Sequence, residues 1–396
     1  MRILLLSDWM SSRGGAETYI LSLRDELRRL GDEVVLISCG AGKDEGAGDV
    51  HAYGTDGFVA QSILQLVNPF ATRCVRETVR TFRPEAALVS QFAYHLSPAV
   101  LGALSPVPAA VSMMDYKAIC PTGTRLLPGG ALCNVRAGAV CRSNRCVGTL
   151  HWLRDQPRYR MIHDGLRSAK RVLCSTSWMN AQLEAAGIEA VTVPLGIAAV
   201  DPVASRKPAR QPTFVYCGRL SREKGVALLI AAFAKVKATS STARLKIVGD
   251  GPLRRELEKL AALLGVSGDV QFTGWVAREE IDAELGYAWA LVAPSLWAEP
   301  FGLSAVEAIV RGIPVIASET GGFSDTVEHR VSGLLFPNGD VASLAERMGA
   351  VASRAAFPDH RLPRDAVERA AAKFGIQGNA RQVREILAEI AAREAA

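Results

Sequence analysis

Two glutamates, Glu299 and Glu307, lie eight residues apart on either side of a Pro-Phe-Gly turn. One carboxylate can project from a loop and the other from the helix that follows, so both can reach the same bound molecule. The backbone N–H groups near Gly302 and Leu303 would stand at the N-terminus of that helix, which favours binding of an anion. The pattern indicates a site for a polar, negatively charged ligand.

The segments around these glutamates predict how they are positioned. An apolar run from Ala288 to Ala293 predicts a buried strand, an amphipathic helix should extend to about Arg311, and Pro314 to Ala317 predicts a second strand. A strand–loop–helix–strand unit favours a parallel sheet, with the loop at the carboxyl edge where open α/β sheets bind ligands.

A structural alternative exists for the second glutamate. Ser304-Ala-Val-Glu307 fits a capping box, in which the Ser and Glu side chains cap the start of a helix. A capping box requires neither the preceding Glu-Pro-Phe-Gly nor a second glutamate. We therefore favour the ligand-binding interpretation.

Other glycine-containing loops follow predicted strands. The first is Gly14-Gly15, where the backbone can approach a ligand at a helix N-terminus, and a tight turn is the structural alternative. The loop from Gly249 to Gly251 lacks the third glycine of a dinucleotide-binding fingerprint. A further loop, from Gly218 to Gly225, carries the cations Arg219 and Lys224.

The segment from Glu299 to Glu307 resembles the Glu-x7-Glu signature of retaining nucleotide-sugar glycosyltransferases of family 4, which have the GT-B fold. The resemblance implies that Glu299 contacts the transferred sugar and that Glu307 binds the ribose. It also implies that the N–H groups of Phe301, Gly302 and Leu303 hold the sugar and phosphate.

The other loops match the family in order. The resemblance implies that Arg219 and Lys224 grip the donor diphosphate, where two cations would stabilise the charge that builds on the leaving group. It implies further donor contacts from the backbone at Gly14, Gly15, Gly218, Gly249, Gly251 and Val276.

Asp115 is the candidate for acceptor contact, in a segment that resembles a family His-Asp-Tyr motif followed by Cys-Pro. The histidine position holds Met114, which cannot transfer a proton. Capping of the next turn would explain Asp115 equally well. Two further positions depart from the family pattern, Leu195 and Asp325.

The chain has eight cysteines, which in a cytosolic protein of this size do not imply a disulfide framework. Four thiolates clustered in a loop-like stretch can bind structural zinc, although they lack short C-x2-C spacings. These are Cys120, Cys133, Cys141 and Cys146. No cofactor is expected for catalysis, and the chain contains no Asp-x-Asp pair that would bind a metal–diphosphate complex.

Composition predicts a globular cytoplasmic protein, with 49% hydrophobic and 22% charged residues and no apolar run long enough to span a membrane. Between Arg136 and Arg171, nine Arg and Lys residues face two Asp residues. This balance is consistent with a solvated face, or with peripheral attraction to anionic lipid on the inner membrane surface or to a phosphorylated acceptor. No nucleic-acid-binding motif accompanies it.

The resemblance implies an α/β, GT-B protein with two Rossmann-like parallel-sheet domains facing each other across a cleft. We predict an acceptor-side domain over 1–197, with a Cys-rich basic insertion at about 115–150, and a donor domain over 213–375. A linker is expected over 198–212, and a helix in 376–396 should pack back on the first domain. Residues 40–57 are predicted to be a polar, Gly-rich loop.

The leading hypothesis is a retaining, metal-independent glycosyltransferase that transfers a sugar from a nucleotide-sugar to a hydroxyl acceptor. The acceptor can be a glycan, a lipid-linked intermediate or a small molecule, and cell-surface polysaccharide or glycolipid synthesis is favoured. One alternative is a catalytically weak GT-B partner subunit, which the departures at Met114, Leu195 and Asp325 suggest. Another is a GT-B nucleotide-sugar epimerase or hydrolase.

Overall fold

A computed structural model describes residues 1–8, 14–40, 48–55, 57–198 and 206–395. Residues 11–13 before Gly14, residues 41–47 and 56 of the predicted loop, and residues 199–205 of the predicted linker lie outside this set. The chain divides into two compact units. The first comprises 1–128, 134–198 and 376–396, and the second comprises 129–133 and 199–375.

The described strands of the first unit form a seven-stranded sheet in the order β3-β2-β1-β4-β5-β6-β7, and every described pairing is parallel. The strands are β1 (Arg2–Ser7), β2 (Glu33–Gly40), β3 (Val50–Tyr53), β4 (Ala86–Val89), β5 (Ala109–Met113), β6 (Arg171–Cys174) and β7 (Val191–Thr192).

Described helices connect the strands, except between β2 and β3, as is usual for parallel pairing. They are α1 (Gly15–Arg29), α2 (Phe58–Leu64), α3 (Pro69–Phe82), α4 (Ala99–Ala103), α5 (Ala139–Ser143), α6 (Thr149–Ser168) and α7 (Ser177–Glu184). A helix from the far end of the chain, α15 (Ile376–Ala395), also belongs to this unit and packs on α1 and β4.

Strand β3 corrects one sequence prediction, because Val50–Tyr53 lies in the stretch expected to be loop. It pairs with β2, where Ala52 is opposite Cys39, and the Ala52 side chain is buried between exposed neighbours. A strand of four residues is too short for its alternating pattern to be recognised in a Gly-rich sequence.

The described strands of the second unit form a six-stranded sheet in the order β10-β9-β8-β11-β12-β13, again with parallel pairings. They are β8 (Thr213–Cys217), β9 (Arg244–Val248), β10 (Val270–Gly274), β11 (Ala290–Ala293), β12 (Val315–Ser318) and β13 (Gly333–Phe336).

The helices of this unit cover the sheet and bury a core that includes Phe214, Phe233 and Phe336. They are α8 (Val226–Thr239), α9 (Arg254–Leu263), α10 (Ile281–Gly286), α11 (Leu303–Val310), α12 (Phe323–Thr326), α13 (Val341–Ala352) and α14 (Arg364–Phe374). Both units are therefore α/β with Rossmann-like parallel sheets, as predicted. In the described part of the chain, no helix combines the length and the apolar character needed to cross a bilayer.

Candidate functional site

The second unit brings several predicted site residues to one edge of its sheet. Strands β8, β9, β11 and β12 are parallel neighbours, so the loops that leave their carboxyl ends meet at the same edge. These loops carry Lys224 after β8, Gly249 and Gly251 after β9, and Glu299 after β11.

Glu299 is the buried carboxylate at the centre of these loops, with 7% of its surface exposed. Its Oε1 accepts hydrogen bonds from Lys224 Nζ at 2.5 Å and from Ser295 Oγ at 2.7 Å. Ser318 Oγ in turn donates to the Ser295 carbonyl at 2.7 Å. The carboxylate is therefore held in one orientation by a cation and a hydroxyl.

The charge state of Glu299 follows from two opposing effects. Burial raises the pKa of a carboxyl group, but the Lys224 charge and the hydrogen bonds from Lys224 and Ser295 outweigh burial and leave the pKa below its usual value. Glu299 is thus ionised at neutral pH, and it can orient a sugar hydroxyl or stabilise positive charge near a reacting carbon.

Lys224 reaches Glu299 because its loop packs closely on the loop after β11. Lys224 ends a 3₁₀ turn, and Gly225 follows with φ of +67°. A Cβ on Gly225 would lie 2.0 Å from the Pro294 carbonyl oxygen, so only glycine fits. The Leu296 N–H donates to the Glu223 carbonyl at 2.8 Å and fixes the same contact.

The loop after β12 supports the backbone of Glu299. Gly321 and Gly322 lie here, and the Gly322 N–H donates to the Glu299 carbonyl at 2.6 Å. The predicted departure Asp325 follows in α12 and is half-buried. The backbone of Glu299 is therefore fixed as firmly as its side chain.

The N-terminus of α11 follows directly. Gly302 is the N-cap with φ of +87°, and Leu303 is the first helical residue. The N–H groups here stand at a helix N-terminus, which favours an anion, and anion binding stays a prediction. The Phe301 side chain is buried and packs edge-to-face on Phe374 with ring centroids 5.6 Å apart. Phe301 therefore offers a ligand its backbone and not its ring.

The capping-box alternative is wrong for Glu307, because Gly302 caps the helix and Ser304 lies within it. Glu307 Oε1 instead accepts a hydrogen bond from Arg278 Nη1 at 2.7 Å. Arg311 Nη1 donates to the Glu307 carbonyl at 2.8 Å. The carboxylate of Glu307 is thus oriented by an arginine that sequence reasoning missed, since no motif connects positions so far apart in the chain.

Arg219 shares the loop with Lys224 but has a different environment. Its side chain is exposed, and the described residues provide no hydrogen-bond partner for its guanidinium. Its carbonyl accepts a hydrogen bond from Tyr216 Oη at 2.8 Å, which fixes the backbone. Arg219 therefore presents an exposed cation on an anchored loop.

The remaining predicted donor contacts lie in the loops after β8, β9 and β10. The Gly218 N–H donates to the Val248 carbonyl, and the Gly249 N–H donates to the Gly274 carbonyl, both at 2.9 Å. Gly251 follows in the same loop, and Val276 is half-buried just after β10. The backbones of Gly218 and Gly249 therefore lie next to each other at this edge, since a Cβ on Gly249 would be 2.0 Å from the Gly218 carbonyl oxygen.

In the first unit, Gly14 is the N-cap of α1 and Gly15 is its first residue. A Cβ on Gly14 would lie 1.9 Å from Glu17 Oε2, so the Glu17 carboxyl group occupies the space beside Gly14. Burial raises the pKa of Glu17, and the nearby Asp8 raises it further. Sequence reasoning did not single out Glu17 or Asp8.

Asp115 follows β5 and caps the turn after it, because Oδ1 accepts a hydrogen bond from the Lys117 N–H at 2.8 Å. Burial raises the pKa of its carboxyl group. Asp8 borders the same cavity of about 20 Å³, together with Met114 and Lys117. Asp8 accepts three backbone hydrogen bonds, from the N–H groups of Tyr94 (2.7 Å), His95 (2.9 Å) and Leu96 (2.7 Å).

The cysteine cluster shows no arrangement typical of a metal site. Among the described residues, no group of three or more His, Cys, Asp or Glu side chains could hold a metal ion. Cys120 Sγ lies 3.2 Å from Thr122 Oγ1, Cys141 is buried, and Cys133 groups with the second unit while Cys146 groups with the first. The zinc site stays a prediction, which metal analysis of the purified protein would test.

Two glycosyltransferase family models match almost the entire chain. A model described as "Glycosyl transferase 4-like domain" matches residues 14–196, and a model described as "Glycosyl transferases group 1" matches residues 199–370. The chain belongs to the GT4-type glycosyltransferases of the GT-B fold. The predicted family and fold are thereby confirmed, whereas the retaining mechanism stays a prediction.

Individual relatives agree with this family assignment. The GDP-mannose-dependent alpha-(1-6)-phosphatidylinositol monomannoside mannosyltransferase of Mycobacterium tuberculosis is 35% identical over 34% of this chain, and the match spans 37% of the length of that enzyme. Two solved structures share the fold. Sucrose-phosphate synthase from Thermosynechococcus elongatus has a TM-score of 0.76 and 23% identity, and the match covers 99% of this chain and 100% of that one. HepE from Anabaena in complex with UDP-glucose has a TM-score of 0.70 and 18% identity, and the match covers 98% of this chain and 100% of that one.

Proposed function

We propose that this GT4-type chain is a retaining glycosyltransferase that moves a sugar from a nucleotide-sugar donor to a hydroxyl acceptor. The observation that carries the proposal is the buried Glu299 carboxylate, held by Lys224 and Ser295 beside the N-terminus of α11. The carboxylate of this ion pair is buried, while 26% of the Lys224 side chain is exposed. Burying a charge costs several kcal/mol, so a carboxylate kept here favours a chemical role. A reacting sugar phosphate requires fixed charges of this kind.

In the proposed reaction the bond between the anomeric carbon and the donor phosphate breaks, and its electron pair moves to the phosphate oxygen. Lys224, Arg219 and the N–H groups at α11 would stabilise the negative charge that develops there. The acceptor hydroxyl attacks from the same face as the leaving phosphate, and its proton passes to a phosphate oxygen. Glu299 would orient the sugar and stabilise positive charge near the anomeric carbon.

Glu307 is assigned to the ribose of the donor. It lies slightly more than one helical turn after the N-terminus of α11, and Arg278 directs its carboxylate. A carboxylate that accepts hydrogen bonds from both ribose hydroxyls would fix the nucleoside while the phosphates lie at the helix N-terminus. The UDP-glucose bound to the Anabaena neighbour supports a nucleotide-sugar as the class of donor. The acceptor is assigned only as a hydroxyl of a glycan, a lipid-linked intermediate or a small molecule.

The donor site is tested by thermal shift and mass spectrometry with UDP-, GDP- and ADP-sugars. One nucleotide class should stabilise the wild type, and Lys224→Ala and Glu307→Ala should each lose most of that stabilisation. Lys259→Ala, an exposed lysine on α9, is the matched control and should behave like the wild type. A folded protein that none of the donors stabilises would favour the partner-subunit alternative.

Product analysis separates the enzymatic alternatives. A hydrolase would release free sugar without an acceptor, and an epimerase would return a changed sugar on an intact nucleotide. For a transferase, the anomeric configuration of the product by NMR must match that of the donor, since inversion would refute the retaining mechanism. Equal activity with EDTA and with added Mg²⁺ would support metal independence, and loss of activity in EDTA would oppose it.

A further inference from the structure

Helices α2 and α3 present a large set of exposed apolar side chains. Val59 and Ile63 are one helical turn apart on α2, with 71% and 63% of their surface exposed, and Phe70 at the start of α3 is 57% exposed. Single exposed apolar residues are ordinary, whereas several within one short segment are typical of interaction sites. We call these residues, with the arginines of α3, the α2–α3 surface: Tyr53, Val59, Ile63, Val67, Phe70, Arg73, Arg76 and Arg80.

The start of α3 is fixed firmly, so this exposure is built into the fold. Asn68 is fully buried, and its side-chain oxygen caps the helix by accepting hydrogen bonds from the N–H groups of Phe70 and Ala71. Its Nδ2 donates to the carbonyls of Tyr53 at 2.8 Å and His95 at 2.7 Å. The Tyr53 and Phe70 rings meet edge-to-face with centroids 5.2 Å apart. These contacts hold the two exposed rings together.

A stripe of cations continues from the apolar residues along the same helix. Arg73, Arg76 and Arg80 follow Phe70 at intervals of three or four residues, so they share its face of α3. All three are exposed, and none has an ion-pair or hydrogen-bond partner among the described residues. The single carboxylate of α3, Glu77, does not offset them.

This arrangement differs from the basic stretch between Arg136 and Arg171. Much of the positive charge there is neutralised inside the first unit, because five of its cations form ion pairs. The pairs are Arg154–Asp155, Arg158–Asp155, Arg167–Asp164, Lys170–Glu394 and Arg171–Glu389. Arg136, Arg142 and Arg145 have no ion pair among the described residues, and Leu150 and Leu153 are exposed in the same stretch. The difference is that most cations of that stretch are paired, whereas all three arginines of the α2–α3 surface are unpaired within the described part of the chain.

We propose that the α2–α3 surface docks the protein on a bilayer that contains anionic lipid. Exposed apolar side chains would enter the headgroup boundary while the arginines contact lipid phosphates, as interfacial helices do. A second copy of this chain is a poorer occupant, because a two-fold contact would bring the two arginine stripes together. The proposal goes beyond the transfer reaction and locates membrane contact on residues that the charge of the sequence did not indicate.

Vesicle flotation of the full chain tests the proposal. We expect binding to vesicles of phosphatidylcholine with phosphatidylglycerol, and little binding to phosphatidylcholine alone or in high salt. Since each basic residue near an anionic surface contributes about fivefold to partitioning, Arg73→Gln/Arg76→Gln/Arg80→Gln should weaken it roughly 100-fold. Val59→Ser/Ile63→Ser should also weaken it, because apolar burial is lost.

Matched controls use the other candidate surface. Arg136→Gln/Arg142→Gln/Arg145→Gln removes the same charge from exposed positions, and Leu150→Ser/Leu153→Ser removes exposed apolar groups from α6. Both should bind vesicles like the wild type, and circular dichroism melts should show that every variant is folded. Equal losses of vesicle binding in both triple variants would mean that binding depends only on net charge, which would overturn the proposal. Absence of vesicle binding, or dimers in light scattering that Val59→Ser/Ile63→Ser dissociates, would also overturn it.

Discussion

Charged side chains of opposite sign lie together at the carboxyl edge of the second sheet. Glu299 and Lys224 neutralise each other across 2.5 Å, while Arg219 on the same loop is exposed to solvent. A diphosphate entering this site would add two or more negative charges next to Lys224. The lysine can then be shared between carboxylate and phosphate without movement of the backbone, since both loops are fixed by hydrogen bonds between main-chain groups. The site is therefore organised before a ligand binds.

The ionised state of Glu299 predicts a pH dependence of stability. Because folding lowers the pKa of Glu299, its contribution should be complete above pH 4.5, the ordinary value, and should decline as pH falls through the pKa of the folded state. Glu299→Gln should cost about 1–3 kcal/mol of unfolding free energy at pH 7, and the difference from wild type should shrink in acid. Urea unfolding across pH 3 to 7 measures this.

The control for that series is Glu385→Gln, an exposed position on α15. Its difference from the wild type should stay within about 0.5 kcal/mol throughout. A Glu299→Gln difference that grew toward low pH would contradict the direction of the pKa shift.

Arg278 is predicted to be a positioning residue that acts through Glu307. Arg278→Ala removes a hydrogen bond between charged groups, so the Glu307 carboxylate should lose its fixed orientation. Since the pair is partly exposed, we expect a rise of about five- to tenfold in the donor KM with kcat nearly unchanged. Steady-state kinetics with the preferred donor measure the split.

Two comparison variants sharpen the Arg278 test. Arg278→Lys keeps the charge and should recover part of the affinity, and Arg255→Ala, an exposed arginine on α9, should have no effect. A fall in kcat with unchanged KM in Arg278→Ala would mean that Arg278 acts in the chemical step and not through the ribose.

At the scale of elements, the packing of the β8 and β11 loops depends on one residue without a side chain. Gly225→Ala should destabilise the second unit by about 3 kcal/mol or more, because alanine disfavours a positive φ and its Cβ would overlap the Pro294 carbonyl. Gly268→Ala is the matched control, since no atom lies within 4 Å of the added Cβ. Thermal melts of both variants provide the measurement, and equal melting temperatures would show that the loops move apart readily.

The sequence predicted the central elements of the donor side closely. The strand, helix and strand expected within 288–317 are β11, α11 and β12, because apolar runs and a Pro-Phe-Gly turn indicate burial and chain reversal directly. Helices α13 and α14 likewise follow amphipathic stretches of the sequence. Their amphipathic patterns extend over several turns, which makes periodicity a strong signal.

Contacts between distant residues could not be predicted in this way. The pairing of Glu307 with Arg278 and the three backbone bonds to Asp8 depend on which loops meet at a sheet edge, and periodicity carries no information about that. The cap of α11 was ambiguous for a related reason. Ser304 and Glu307 match a capping box in spacing, but the left-handed Gly302 begins the helix two residues earlier.

For the whole molecule, α15 is part of the core of the first unit. Ala380, Val383, Leu387 and Ile390 are buried, and Tyr19 Oη donates to Asn379 Oδ1 at 3.1 Å. Leu387→Ala should cost about 2–5 kcal/mol, as deletion of buried methyl groups does, whereas Glu385→Ala should cost less than about 0.5 kcal/mol. Chemical unfolding measures the loss of stability, and hydrogen exchange shows whether β1 and β4 lose protection. An unchanged denaturant midpoint would show that α15 is dispensable.

The position of α15 also has a consequence during synthesis on the ribosome. Residues 1–198 emerge first, yet the helix that covers α1 and β4 is translated only after the whole second unit. Domains usually fold in the order in which they emerge. Here the second unit can complete its core while the first still exposes apolar surface to chaperones. The nascent first unit is therefore the vulnerable intermediate, and a stalled or truncated chain would expose it to aggregation and proteolysis.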